Sequence, residues 1–171
     1  IYALTSFSPE RAQKAIEQLS SLLRHILYEN ERSEISINDE IEFIGNYISL
    51  MRLRVTNNVD IDFVTDIPKD CNTMIAPMIF ISLVENAFKH GISPTKPSFI
   101  HISISVSNNT VKCLIKNSNY PKLENDKSGH GIGLKQVGRR LELAYSGRYK
   151  WIKGVSEDKT TYTSEIVISC K

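Results

Sequence analysis

Cysteine is scarce in this sequence. Cys71, Cys113 and Cys170 are odd in number and lack the close pairing of a zinc knuckle or redox motif. Their plain reading is reduced thiols in a reducing compartment. No run is long and apolar enough to span a bilayer, and no signal peptide is recognisable. Long basic runs are missing too: 21 Lys and Arg against 19 Asp and Glu leave a net charge of +2, which gives no nucleic-acid footprint. Internal repeats and low-complexity tracts are absent. Ile1 is not a natural start, so the chain reads as a piece of a longer protein whose other parts could carry membrane segments.

What is present suits one core. A chain of 171 residues with 41% hydrophobic content favours one domain plus an appendage over two full domains. Residues 8–29 carry Ala12, Ala15, Ile16, Leu19, Leu22, Leu23, Ile26 and Leu27 at helical spacing, with Ser8 and Pro9 suited to the helix start. After a polar break, a second helix is predicted over about 37–55. Ser36 caps it, Asp39 and Glu40 suit its first turn, and Ile41, Ile44, Ile48, Met51 and Val55 form its apolar stripe. Val59 to Ile67 alternates as a half-buried strand, and Pro77 opens a helix of about 77–90. Ile100 to Val106 and Val111 to Lys116 read as a hairpin turning at Asn108-Asn109. Residues 117–130 read as a loop, 133–145 as a helix, and Tyr149 to Lys153 and Thr161 to Ser169 as closing strands. Helices covering one face of a mixed sheet is the natural two-layer solution.

Three features carry chemistry. On the helix ending near Gly91, Ile79, Phe80, Leu83 and Ala87 point inward, while Ser82, Glu85, Asn86, Lys89 and His90 form a polar strip. A carboxylate and an amide oxygen suit magnesium, and cationic donors suit phosphate. In isolation the strip is equally a solvated helix face with a Glu85–Lys89 pair. The second feature is Gly129-His130-Gly131-Ile132-Gly133-Leu134, directly before a helix. Bare amides beside a helix N-terminus favour a polyphosphate, although the spacing is neither a dinucleotide fingerprint nor a Walker A loop. Taken alone it is a glycine-rich turn. The third is Asn117-Ser118-Asn119 at a strand end, where Asn117 can place an amide at a pocket floor or simply make a turn.

In this order the three resemble the GHKL ATP-binding fold, and their wording is closest to LytS-type sensor histidine kinases. That family reads like LVENAxKHG over Leu83 to Gly91 and like GxGIGLxNxxxRLxxxY over Gly129 to Tyr145, including Arg140 and Leu141. Leu19 to Arg24 and Tyr47 to Arg54 also resemble it. The resemblance implies an α+β two-layer sandwich, the Bergerat or GHKL fold, with a mixed, mostly antiparallel sheet preceded by a helix from a dimerisation bundle. It divides the chain into residues 1–33, a remnant of the dimerisation region without the phosphoacceptor histidine, and residues 34–171, the catalytic domain.

It implies ATP and Mg2+ as cofactors. Asn86 would ligate the metal and act with Glu85 in catalysis. Lys89, His90, Asn117, Gly129, His130, Gly131, Ile132, Gly133 and Leu134 would line the nucleotide site. The activity implied is that of a protein-histidine kinase, with autophosphorylation beyond this piece alone. The partners implied are a second copy through the N-terminal helices and a response regulator, with no nucleic acid and no membrane contact in this part. The place implied is the cytoplasmic side of a bacterial inner-membrane sensor.

Two departures stand out. The family's Asp-x-Gly is Asn117-Ser118-Asn119 here, and its second Asn is Gln136. They keep alternatives open: another GHKL ATPase or protein serine kinase, or a degenerate domain that binds nucleotide or protein without catalysis. His25 reads as a packing histidine, and His101 as an exposed strand residue.

Overall fold

Alternation decides which face of the sheet is dry. In β4 (Ser98–Ser107) Ile100, Ile102, Ile104 and Val106 are buried, and in β5 (Thr110–Ser118) Val111, Cys113 and Ile115. The register pairs Ile102 with Ile115 and Ile104 with Cys113, which puts both sets on one face. Asn108 and Asn109 join these strands at φ 47° and 56°, a conformation that Asn tolerates better than most residues. Ile166 and Ile168 of β7 (Thr161–Ser169) extend the same face. Each fully buried isoleucine contributes roughly 1.5–3 kcal/mol by leaving water. With β2 (Val59–Asp66) and β6 (Tyr149–Val155) the five-stranded order is β2-β4-β5-β7-β6. Among the described residues only the β2–β4 pair of this sheet is parallel. The structure is a computed structural model and describes residues 6, 8–29, 32–120 and 132–170.

Three helices supply the second layer: α2 (Ile37–Arg52), α3 (Ile81–His90) and α4 (Ile132–Tyr145). Ile44 and Ile48 of α2, Leu83 and Ala87 of α3, and Val137 and Leu141 of α4 join the strand isoleucines in one core. The far face of the sheet is wetter, with Val64 and Ile152 half exposed. A leading helix, α1 (Pro9–Glu29), lies against α2 and adds Leu22 to that core. The architecture is therefore the expected α+β two-layer sandwich with a mixed, mostly antiparallel sheet. Among the described residues, no helix is long and apolar enough to cross a membrane.

The structure departs from the sequence reading at the start of the third helix and in two short strands. The third helix begins at Ile81, not at Pro77, because Met78 sits at φ 56°, a left-handed backbone that no α-helix contains. Glu40 lies in the first turn of α2 as expected and is fully buried in line with Ile37, Ile44 and Ile48. The two-residue strands β1 (Ile35–Ser36) and β3 (Met74–Ile75) pair antiparallel beside the main sheet, and no periodicity announces elements so short. In α1 the apolar residues split: Ala12, Ala15 and Leu22 are buried, whereas Ile16, Leu19, Leu23, Ile26 and Leu27 are exposed. The expected cap on α2 is present, with the Asn38 N–H donating to Ser36 Oγ at 3.1 Å.

Candidate functional site

The helix α3 is two-faced by spacing. Leu83, Val84, Ala87 and Phe88 are buried, and Ser82, Glu85, Asn86, Lys89 and His90 remain on the open side. Its core side fixes the helix on the sheet, so the polar strip points at a constant place. Opposite it stands the start of α4. A cavity of about 200 Å³ is lined by all five strip residues and by Gly133 and Leu134. A Cβ built on Gly133 would meet open space, so no protein atom crowds that backbone. His90 and Gly133 stand 43 positions apart in the sequence, and the fold makes them two walls of one pocket.

Asn117 is not among the residues that line this cavity. It is almost fully buried on β5 against the C-terminal end of α3, where Gly91 leaves room for it. Its Nδ2 donates to the Ser118 carbonyl at 2.8 Å, while its Oδ1 is buried without a hydrogen-bond partner among the described residues. An unpaired buried acceptor costs about 1–3 kcal/mol. The rest of the segment is tied down: Ser118 Oγ accepts from the Phe99 N–H at 2.8 Å, and Asn119 Nδ2 donates to the Lys159 carbonyl at 2.9 Å. The Tyr120 N–H donates to the His90 carbonyl at 3.1 Å, joining the strand end to the end of α3.

Electrostatics mark Glu85. Partial burial pushes its carboxyl above the usual range. Tyr47 of α2 feels it: burial first, and the Glu85 charge second, push the phenol up to about 12. The Tyr47 ring meets the Phe88 ring edge-on with centroids 5.9 Å apart. Sequence reading passed over Tyr47 as a site residue and kept Ser82 in the strip without assigning it a role. The half-buried position of Tyr47, three residues before Leu50 on the core side of α2, was the available signal.

Of the remaining expected residues, Gly129, His130 and Gly131 lie outside the described residues, and Ile132 is described only as the first residue of α4. His25 stacks on Phe43 with centroids 4.2 Å apart and planes at 13°, the packing role expected of it. His101 is exposed on β4, 3.0 Å from Asp60 Oδ2. All three cysteines are free thiols. Among the described residues no cluster of three or more His, Cys, Asp or Glu side chains could hold a metal. A hard cation at this cavity would therefore rely on the Asn86 amide and Glu85 carboxylate oxygens together with oxygens of its ligand, which fits magnesium chemistry.

Comparison with known proteins finds similar chains of one kind. A family model described as histidine kinase matches residues 1–59. The sensor histidine kinase YpdA of Escherichia coli is 29% identical over 147 residues, covering 81% of this chain and 26% of YpdA. The chain thus spans about a quarter of that relative's length. The histidine kinase domain of a blue-light activated kinase from Erythrobacter litoralis superposes with TM-score 0.58 at 12% identity, over 97% of this chain and 82% of that one. The catalytic domain of histidine kinase ThkA superposes with TM-score 0.50 at 18% identity, over 81% of this chain and 97% of that one. This chain is similar in sequence to sensor histidine kinases and has the fold of their catalytic domains.

Proposed function

We propose that the chain is the ATP-binding catalytic region of a LytS-type two-component sensor histidine kinase. In this reading it binds Mg-ATP and directs the γ-phosphoryl group to a histidine of the parent protein, for relay to an aspartate of a response regulator. What supports it is one observation: the cavity that joins Asn86 and its neighbours to Gly133 and Leu134. Phosphoryl transfer needs mainly positioning and charge neutralisation. Asn86 and Glu85 would offer oxygen to the metal, and Lys89 and His90 would face phosphate oxygens. The amides before Leu134 would meet the polyphosphate at the start of α4. Bound magnesium would neutralise charge on the transferring group. Glu85, whose carboxyl is held high by burial, suits a base that draws a proton from the incoming imidazole. The unpaired Oδ1 of Asn117 would accept from the adenine amino group, doing through an amide what a carboxylate does in the family's Asp-x-Gly.

Residues 1–33 would belong to the dimerisation region and residues 34–171 to the catalytic domain. The parent would be a membrane-anchored sensor with this part in the cytoplasm. The second reading, a degenerate domain that binds without catalysing, is favoured by one feature, Asn117 in the place of the family's Asp. Phosphotransfer separates the two. The chain lengthened upstream through the expected histidine should take label from γ-labelled ATP in an acid-labile, alkali-stable form. Nucleotide binding without any label in the lengthened protein would favour the second reading.

A further inference from the structure

The turn that opens α3 is held from both flanking helices. Glu40 of α2 is fully buried; its Oε2 accepts from the Met78 N–H at 2.9 Å and its Oε1 from the Phe80 N–H at 3.2 Å. From the other side Arg140 of α4 donates through Nη1 to the Met78 carbonyl at 3.1 Å and the Pro77 carbonyl at 3.3 Å. Met78 is thus gripped at its amide by one helix and at its carbonyl by another, and its own φ is +56°. A side-chain-bearing residue holds such a backbone only where its surroundings over-determine it. One further tie runs the same way: the Ala76 N–H donates to Tyr145 Oη at the far end of α4, at 2.6 Å.

We propose that Glu40 and Arg140 are positioning residues: by gripping Met78 from α2 and α4, they fix the Asn86 helix against the Gly133 helix and so set the width of the cavity between them. The consequence for nucleotide rests on the reading of that cavity as the Mg-ATP site; the clamp itself does not. Glu40 faces Arg140 from α4 and the Cys113 thiol from β5, besides the turn amides. Burial, opposed by those amides and by Arg140, pushes its carboxyl up to about 7, so its grip changes near neutral pH.

The test uses the 171-residue chain as wild type, R140Q, R140K, E40Q and N86A. Arg140 is exposed, so its variants leave the core intact. Hydrogen exchange without nucleotide should quicken in residues 76–90 and 132–145 of R140Q, with the sheet unchanged. Mg-ATP affinity of R140Q should fall about fivefold, the worth of one net hydrogen bond, and R140K should recover part of it. The affinity difference between wild type and E40Q should change as pH passes through about 7. Unchanged exchange in both segments of R140Q would overturn the clamp whatever the nucleotide does. Quickened exchange with wild-type affinity, while N86A loses binding, would overturn the positioning role. Quickened exchange in a wild type that binds no Mg-ATP would uphold the clamp and sink the nucleotide reading.

Discussion

Gly91 and Asn117 touch where α3 meets β5: a Cβ built on Gly91 would stand 2.8 Å from Asn117 Cβ and 3.0 Å from its Nδ2. It would also stand 2.5 Å from the Ala87 carbonyl oxygen, which is backbone and cannot swing away. Gly91→Ala should therefore force the helix end off the strand. Overpacking of this kind costs about 1–3 kcal/mol. Urea unfolding should show that loss as a lower midpoint with an unchanged slope, and an unchanged midpoint would mean that the contact is slack.

Asn117 presents a buried oxygen without a partner among the described residues, and in the proposed function that oxygen meets adenine. Asn117→Ala removes the acceptor and its donor to Ser118 together. Mg-ATP affinity should fall by about 1–2 kcal/mol, roughly tenfold, while Mg-GTP affinity changes little. Equal losses for both nucleotides in a competition titration would remove Asn117 from base recognition.

Glu40 gives a pH dependence whose sign can be worked out. Its folded pKa of about 7 lies above the ordinary 4.5, so the folded state binds more protons between those values. The favourable contribution is complete below 4.5 and is lost as pH rises through about 7. The shift corresponds to a loss on the order of 3 kcal/mol. Denaturant unfolding at pH 5 and pH 8 should therefore show a steeper fall for wild type than for Glu40→Gln. Parallel falls in the two proteins would assign the dependence elsewhere.

Strand alternation told the truth about the sheet, because each of those strands buries one face and wets the other. The polar strip of α3 and the Gly133-Leu134 step were legible as separate pieces, and the fold supplied what spacing alone cannot, their meeting across one cavity. The opening of α3 was misread because its amides are satisfied by Glu40, 38 residues from Met78 in sequence, and not by a local cap. Propensity reasoning sees Pro77 and starts a helix; it has no access to a carboxylate arriving from another element. Glu40 did leave a trace, since it falls in step with Ile37, Ile44 and Ile48 on the buried side of α2.

The outer face of α1 bears on assembly. Ile16, Leu19, Leu23 and Ile26 are 38–51% exposed and follow one another at three–four–three spacing, the seam of a left-handed helix pair. A second copy covering that seam is part of the proposed function. Sedimentation equilibrium should give a dimer for wild type and a monomer for Leu23→Lys, with Mg-ATP affinity kept. A wild type that stays monomeric at high concentration would contradict it.

The most direct measurement is a calorimetric titration of the chain with ATP, with and without magnesium, in wild type and Asn86→Ala. The account predicts saturable binding that magnesium tightens in wild type, and loss of the magnesium effect in Asn86→Ala with the melting temperature of the empty protein kept. Binding with the same magnesium dependence in both proteins, or no binding to wild type at millimolar ATP, would contradict it.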